Sequence, residues 1–173
     1  MRYKKISLFS LMAIAGLSLL VVSCSKSNNS QNTPIGMSSQ INGQSYLSKQ
    51  TTASFFSGTP GYYLVGSVGV MGGDTVTLTV YIATPIVLNK KVCTDTNAYA
   101  ELDYQIRRNN ILYAEYTAAY GDLDSAYYTI TALDTIKHTI AGTFSGTITI
   151  NSNVGTLPDS LVMANGQFNS TYQ

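Results

Sequence analysis

The chain has 173 residues, with ten basic and nine acidic side chains and a formal net charge of +1. This length suits one domain with a packed core, and the charge lacks the basic surplus that is typical of nucleic-acid-binding proteins. The sequence holds two cysteines, Cys24 and Cys93, and the first lies directly after an apolar run.

The N-terminus has the layout of a secretory signal peptide. Arg2, Lys4 and Lys5 form a basic start, and residues 6–22 are a mostly apolar run without charges. Such a run is near the lower limit for crossing a bilayer, so a retained transmembrane helix is the alternative. The run ends in Val21-Val22-Ser23-Cys24, which resembles the lipobox of bacterial lipoproteins. The resemblance implies cleavage after residue 23 and lipidation of Cys24, whose acyl chains would anchor the protein to a membrane.

The segment after the cysteine predicts a flexible tether over residues 24–37. It is rich in Asn, Gln, Ser and Thr and cannot bury enough apolar surface to fold. Ser25 stands where an aspartate would indicate retention in the inner membrane, so the resemblance to lipoproteins favours the outer membrane. No acidic residue precedes Asp74, which favours the periplasmic face over the cell surface.

Removal of residues 1–23 changes the charge of the protein. It takes away three of the ten basic residues and none of the nine acidic ones, so the formal charge falls from +1 to −2. The remaining adjacent basic pairs, Lys90-Lys91 and Arg107-Arg108, stand in turn-like contexts. We therefore expect no nucleic-acid partner.

From Ser38 onward, apolar and polar residues alternate with period two. In residues 75–82, aliphatic side chains alternate with threonine and tyrosine, and the pattern recurs in 98–106 and 139–150. One apolar and one polar face are typical of half-buried antiparallel strands. Turn residues such as Asn42-Gly43 separate the runs. The sequence predicts one all-β domain over 38–173, an antiparallel β-sandwich or barrel-like meander of about nine to ten strands.

Short motifs mark both ends of this domain. Ile41-Asn42-Gly43-Gln44-Ser45-Tyr46 follows the tether, and two late strands carry Gly142-Thr143-Phe144 and Asn165-Gly166-Gln167-Phe168. In these motifs the chain resembles uncharacterised outer-membrane lipoproteins of the Bacteroidota, although Tyr46 stands where tryptophan is frequent. The resemblance implies a β-rich domain and carries over no catalytic residue.

The two Gly-x-Phe units predict a packing arrangement. If their strands pair, each glycine leaves room for the phenylalanine ring of the other strand, so an aromatic side chain covers bare backbone. We expect this arrangement to serve the core.

Residue types that could carry chemistry are few. His138 is the one histidine and has no nucleophile motif near it, Cys93 is predicted to be a buried, inert thiol, and no cofactor motif is found. Asp122 and Asp124 are weak candidates for Ca²⁺ ligands in what reads as a polar turn. Three further carboxylates, Glu101, Asp103 and Glu115, could serve a glycosidase but fit a solvated sheet face better.

The abundance of tyrosine is the most unusual feature of the sequence, which has 13 tyrosines and no tryptophan. Tyr63, Tyr81, Tyr99 and Tyr113 fall on predicted outward positions. Such side chains suit recognition surfaces, because their rings are apolar and their hydroxyls are polar. The alternative is cross-strand pairing that only stabilises the sheet.

We therefore expect an accessory or binding module without catalytic activity, anchored by lipid and contacting a glycan or an envelope protein through a face rich in Tyr and Thr. A lipocalin-like carrier of a small apolar ligand is the alternative, and it predicts an interior cavity lined by Val68, Leu78, Leu102 and Phe144. A hydrolase is a third hypothesis, and it requires His138 within hydrogen-bond distance of a carboxylate.

Overall fold

The computed structural model describes residues 36–48, 50–121 and 125–173, which contain β-strands and no helix. The predicted all-β class is confirmed, and eleven strands exceed the predicted nine to ten. They are β1 (Gly36–Ile41), β2 (Gln44–Ser48), β3 (Thr51–Phe56), β4 (Tyr62–Met71), β5 (Asp74–Ala83), β6 (Lys91–Cys93), β7 (Glu101–Arg108), β8 (Ile111–Ala118), β9 (Ala126–Asp134), β10 (Thr139–Asn153) and β11 (Ser160–Thr171).

The strands form one antiparallel sheet that is nearly closed into a barrel. Their order is β2-β1-β11-β10-β8-β7-β5-β4-β3, with β9 paired to β10 and β6 paired to β9. The long strand β10 pairs with β9 through Thr139–Gly146 and with β8 through Thr149–Asn153. A parallel bridge between Ala53 and Tyr172 joins β3 to the C-terminal end. The sheet therefore curls until its third and last strands meet.

Two-residue turns set the register of three hairpins. Asn42-Gly43, Gly72-Gly73 and Asn109-Asn110 all have positive φ at both positions. Such turns match the twist of the flanking strands and favour Asn and Gly, which tolerate this conformation. The predicted Asn42-Gly43 hairpin is confirmed as the connection between β1 and β2.

The barrel interior is filled by alternate residues of the strands. In β5, Val76, Leu78, Val80 and Ile82 are at most 1% exposed, as the alternation predicts. The large rings of Tyr46, Tyr104 and Tyr116 are fully buried among such aliphatic side chains. The Tyr46 hydroxyl lies 2.8 Å from Ser67 Oγ, and the Tyr128 hydroxyl accepts a hydrogen bond of 3.0 Å from the backbone N–H of Ala83. The hydroxyls of Tyr46 and Tyr128 therefore have hydrogen-bond partners, as buried polar groups require.

The predicted exchange of glycines and rings is confirmed. Gly142 lies opposite Phe168, and Phe144 opposite Gly166, in the ladder between β10 and β11. The two rings stack with their centroids 6.5 Å apart. A Cβ added to Gly166 would be 2.5 Å from Phe144 Cδ2, closer than atoms approach in contact. Glycine is thus needed beside each ring.

The folded part begins before the predicted boundary. Strand β1 starts at Gly36, and Met37 is 1% exposed, with its sulfur 3.2 Å from Ser67 Oγ. The predicted tether over 24–37 is therefore too long by two residues. Composition does not mark the start of β1, because Gly36 and Met37 follow the polar segment directly. Residues 1–35, with the predicted signal peptide and Cys24, lie outside the described residues, so processing and lipidation stay predictions.

Candidate binding site

Four tyrosines meet in a groove of about 200 Å³ on the outer surface of the sheet. We call it the tyrosine groove, and its lining consists of Tyr62, Tyr81, Ala98, Tyr99, Ala100, Glu101, Ala119 and Tyr120. Alanine at three of these positions leaves space between the rings. The groove therefore combines aromatic faces, phenol hydroxyls and a carboxylate.

The sheet register explains how these residues come together. Tyr62 lies on β4 and Tyr81 on the neighbouring β5, with ring centroids 6.3 Å apart. In the next ladder, Tyr81 lies opposite Glu101 at the start of β7. The β7–β8 hairpin pairs Leu102 with Ala118, so the segment that follows β8 returns beside the segment that precedes β7. Tyr99 and Tyr120 line the same groove for this reason.

Two of the four rings are freely accessible. Tyr99 is 48% exposed and Tyr120 is 63% exposed. Tyr81 is half-buried, and its pKa is raised by burial and then by the nearby carboxylates, Glu101 first. Its hydroxyl therefore stays protonated and can donate a hydrogen bond to a ligand.

Of the three neighbouring carboxylates, Glu101 and Glu115 are partly exposed and Asp103 is buried, so the predicted solvated face is incomplete. Asp103 is 7% exposed; its Oδ2 accepts a hydrogen bond of 3.3 Å from Gln105 Nε2, and its Oδ1 has no partner. Gln105 Nε2 also donates to Glu115 Oε1 at 2.9 Å. Burial, followed by the charges of Glu115 and Glu101, raises the pKa of Asp103 to about 7. The prediction that Asp103 is solvated is wrong. Its side chain points to the outer face of the sheet, but long neighbouring side chains cover it from solvent.

The structure brings together only two of the four predicted tyrosines, Tyr81 and Tyr99. Tyr63 is 8% exposed and packs edge-on against Tyr172 with centroids 5.1 Å apart, so its predicted exposure is wrong. Tyr113 lies outside the groove, 3.8 Å beneath the guanidinium of Arg108. Sequence reasoning missed Tyr62 and Tyr120, although counting outwards from the Asn109-Asn110 turn would have placed Tyr120 opposite Tyr99; a bulge beside Ile106 shifts the observed register by one residue.

The other candidate residues show no catalytic arrangement within the described residues. His138 is exposed and its ring packs on Tyr172, with no carboxylate in hydrogen-bond distance. Cys93 is half-buried and donates to Asp95 Oδ1 at 3.2 Å, so its predicted full burial is wrong for this edge position on β6. Asp122 and Asp124 lie outside the described residues. In the part of the chain that is described, no group of three His, Cys, Asp or Glu could hold a metal ion.

The residues predicted to line a carrier cavity do not share one space. Val68 is 58% exposed on the outer surface, whereas Leu78, Leu102 and Phe144 are at most 2% exposed in the core. Tyr104 and Tyr116 occupy the interior beside Leu78 and Leu102. The predicted lining is therefore wrong for Val68, whose side of β4 faces solvent.

The chain was compared with protein-family models, curated proteins and solved structures. None of the three comparisons gave a match. Within residues 36–48, 50–121 and 125–173, no helix is long and apolar enough to span a membrane. The resemblance to lipoproteins of the Bacteroidota therefore stays a prediction that depends on the sequence motifs.

Proposed function

We propose that this protein is a non-catalytic binding module of the cell envelope, anchored by lipid at Cys24 to the outer membrane on its periplasmic side. Its face rich in Tyr and Thr contacts a partner, and a glycan is the partner that the tyrosine groove supports best. The observation that carries this proposal is the meeting of four tyrosines around one groove.

The chemistry of the groove suits a sugar. The apolar face of a sugar ring stacks on an aromatic ring, as on the accessible faces of Tyr99 and Tyr120, whose hydroxyls stay in water. The Glu101 carboxylate in the lining can accept hydrogen bonds from sugar hydroxyls. An envelope protein is the alternative partner, because tyrosine is also enriched in protein interfaces.

The test is binding of the full chain, purified in detergent, to a glycan array, followed by calorimetry with the glycans that bind. We expect Tyr99→Ala and Tyr120→Ala each to weaken binding about tenfold, which corresponds to about 1.4 kcal/mol. Tyr113→Ala is the matched control, because Tyr113 lies outside the groove and should leave the affinity unchanged.

Two results would contradict the glycan proposal. One is an array on which no glycan binds the wild-type chain, and the other is an equal loss of affinity in the Tyr113→Ala control. In the first case, crosslinked pull-downs from envelope preparations test the protein partner, and recovery that depends on Tyr99 would identify it.

A further inference from the structure

A second cavity lies on the outer surface of β6, β9, β10 and β11. Its volume is about 450 Å³, larger than that of the tyrosine groove. We call it the polar trough, and its lining includes Lys91, Tyr127, Thr129, Thr143, Asn165 and Gln167. Lys91 is the only charged residue in this lining. The trough therefore has a positive end in a domain whose predicted mature charge is negative.

Irregular strand pairing shapes the trough. The register shifts between Phe144 and Gly146 in the β10–β11 ladder, and between Ala141 and Gly142 in the β9–β10 ladder. Asn165 has a φ of +53° at the first of these bulges. Bulges bend strands and re-aim side chains, and they are frequent next to binding sites. Here they surround a concave, polar surface.

A row of polar side chains crosses the trough. Thr129 lies opposite Thr143 in one ladder, and Thr143 lies opposite Gln167 in the next. Neighbouring strands are about 4.8 Å apart, so hydroxyl and amide groups recur at that spacing. In the described part of the chain, these three side chains make no hydrogen bond to another side chain or to the backbone. Their donors and acceptors are available to a ligand.

Lys91 continues the row, because it lies opposite Thr129 in the β6–β9 ladder. Its Nζ lies 3.7 Å from the centroid of the Tyr127 ring, a cation–π contact that holds the ammonium at this end. Lys91 takes part in neither of the ion pairs among the described residues. The ammonium is therefore positioned but not neutralised.

We propose that the polar trough binds an acidic saccharide, that is, a sugar chain carrying carboxylates. The hydroxyls of Thr129 and Thr143 and the amides of Asn165 and Gln167 would exchange hydrogen bonds with sugar hydroxyls, and Lys91 would pair with a carboxylate. One lysine is too little charge for a nucleic-acid backbone, which needs several cations. This site is independent of the tyrosine groove in residues and in ligand charge.

The experiment measures the affinity of the full chain in detergent for trigalacturonate and for its methyl ester, which keeps the hydroxyls and loses the charge. We expect Lys91→Gln to weaken binding of the acid about tenfold, the lower end of the range for a charge-assisted hydrogen bond, and to leave the ester unaffected. Thr143→Val should weaken both ligands. Lys137→Gln removes the same charge at an exposed turn and serves as the control.

The outcomes separate this proposal from the proposed glycan site. Tyr99→Ala and Tyr120→Ala should leave trigalacturonate binding unchanged, and a loss in these variants would place the acid in the tyrosine groove and overturn the proposal. It is also overturned if trigalacturonate does not bind, if Lys91→Gln and Lys137→Gln have equal effects, or if the galacturonate monomer binds as tightly as the trimer.

Discussion

Gly142 lies directly opposite Phe168, and a Cβ added to this glycine would come within 2.6 Å of the ring carbon Cζ. Gly166 has the same relationship to Phe144 on the same pair of strands. The two glycines and two rings form a reciprocal unit at the centre of the β10–β11 ladder. A side chain at either glycine would therefore push β10 and β11 apart.

We expect Gly142→Ala and Gly166→Ala each to lower the free energy of unfolding by about 1–3 kcal/mol, the range for overpacking a core. Chemical denaturation measures this value. Gly66→Ala is the matched control, because an added Cβ there meets its nearest atom at 3.7 Å, an ordinary contact. Equal losses at Gly66 and Gly142 would contradict the steric explanation.

Asp103 should make stability depend on pH. Its folded pKa of about 7 lies above the ordinary value of 3.8. Between these values the unfolded chain has lost the proton and the folded chain still holds it, so the free energy of unfolding should fall as pH rises from about 4 to about 7. We expect Asp103→Asn to flatten this slope and to raise the unfolding midpoint near neutral pH. The exposed carboxylate of Asp159 supplies the control Asp159→Asn, and an unchanged slope in Asp103→Asn would refute the assignment.

The hydroxyl of Tyr128 connects β9 to β5 through the backbone N–H of Ala83. Tyr128→Phe would leave this buried N–H without a partner, at a cost of about 1–3 kcal/mol in the free energy of unfolding. The adjacent Tyr127→Phe removes a hydroxyl from a half-buried ring on the outer face and should change little. Urea denaturation of both variants distinguishes a buried hydrogen bond from a general need for tyrosine.

The anchor prediction concerns Cys24. Wild-type cells supplied with radiolabelled palmitate should label the protein, and Cys24→Ser should abolish the label and leave a precursor that is not processed, because the thiol accepts the lipid. Cys93→Ser is the control and should be labelled like the wild type. Equal labelling of wild type and Cys24→Ser would exclude a lipid anchor at this position.

Alternation of residue types was sufficient to predict the sheet, but it failed where both phases are apolar. In β5 the aliphatic and threonine positions differ clearly, so the inward set was predicted correctly. In β4, Tyr62 and Tyr63 are followed by Leu64 and Val65, so both phases look alike and Tyr63 was assigned to the wrong face. The tyrosine groove was missed in part because Tyr120 lies beyond β8, where strand periodicity gives no information.

The burial of Asp103 could not be predicted from the alternation of residue types either. Period two assigns a residue to the inner or outer face, and Asp103 is on the outer one. How much solvent reaches it depends on which long side chains flank it across two ladders, and this requires the register.

Strand β11 is the last strand of the chain, and the sheet closes through its contacts with β1 and β3. These pairings must therefore form after the C-terminus is available. Residues Met163 to Asn169 of β11 pair with β1, and the Ser170 hydroxyl donates to the carbonyl of Thr51, a residue 119 positions earlier. In the export that we propose for this protein, the N-terminus leads, so β1 and β3 emerge long before their partner strand arrives. Pairings this distant in sequence form slowly. Until the last strand emerges, both early strands keep unpaired edges that can join other chains. We therefore expect a demand for periplasmic chaperones, concentrated in the interval before the C-terminus is released.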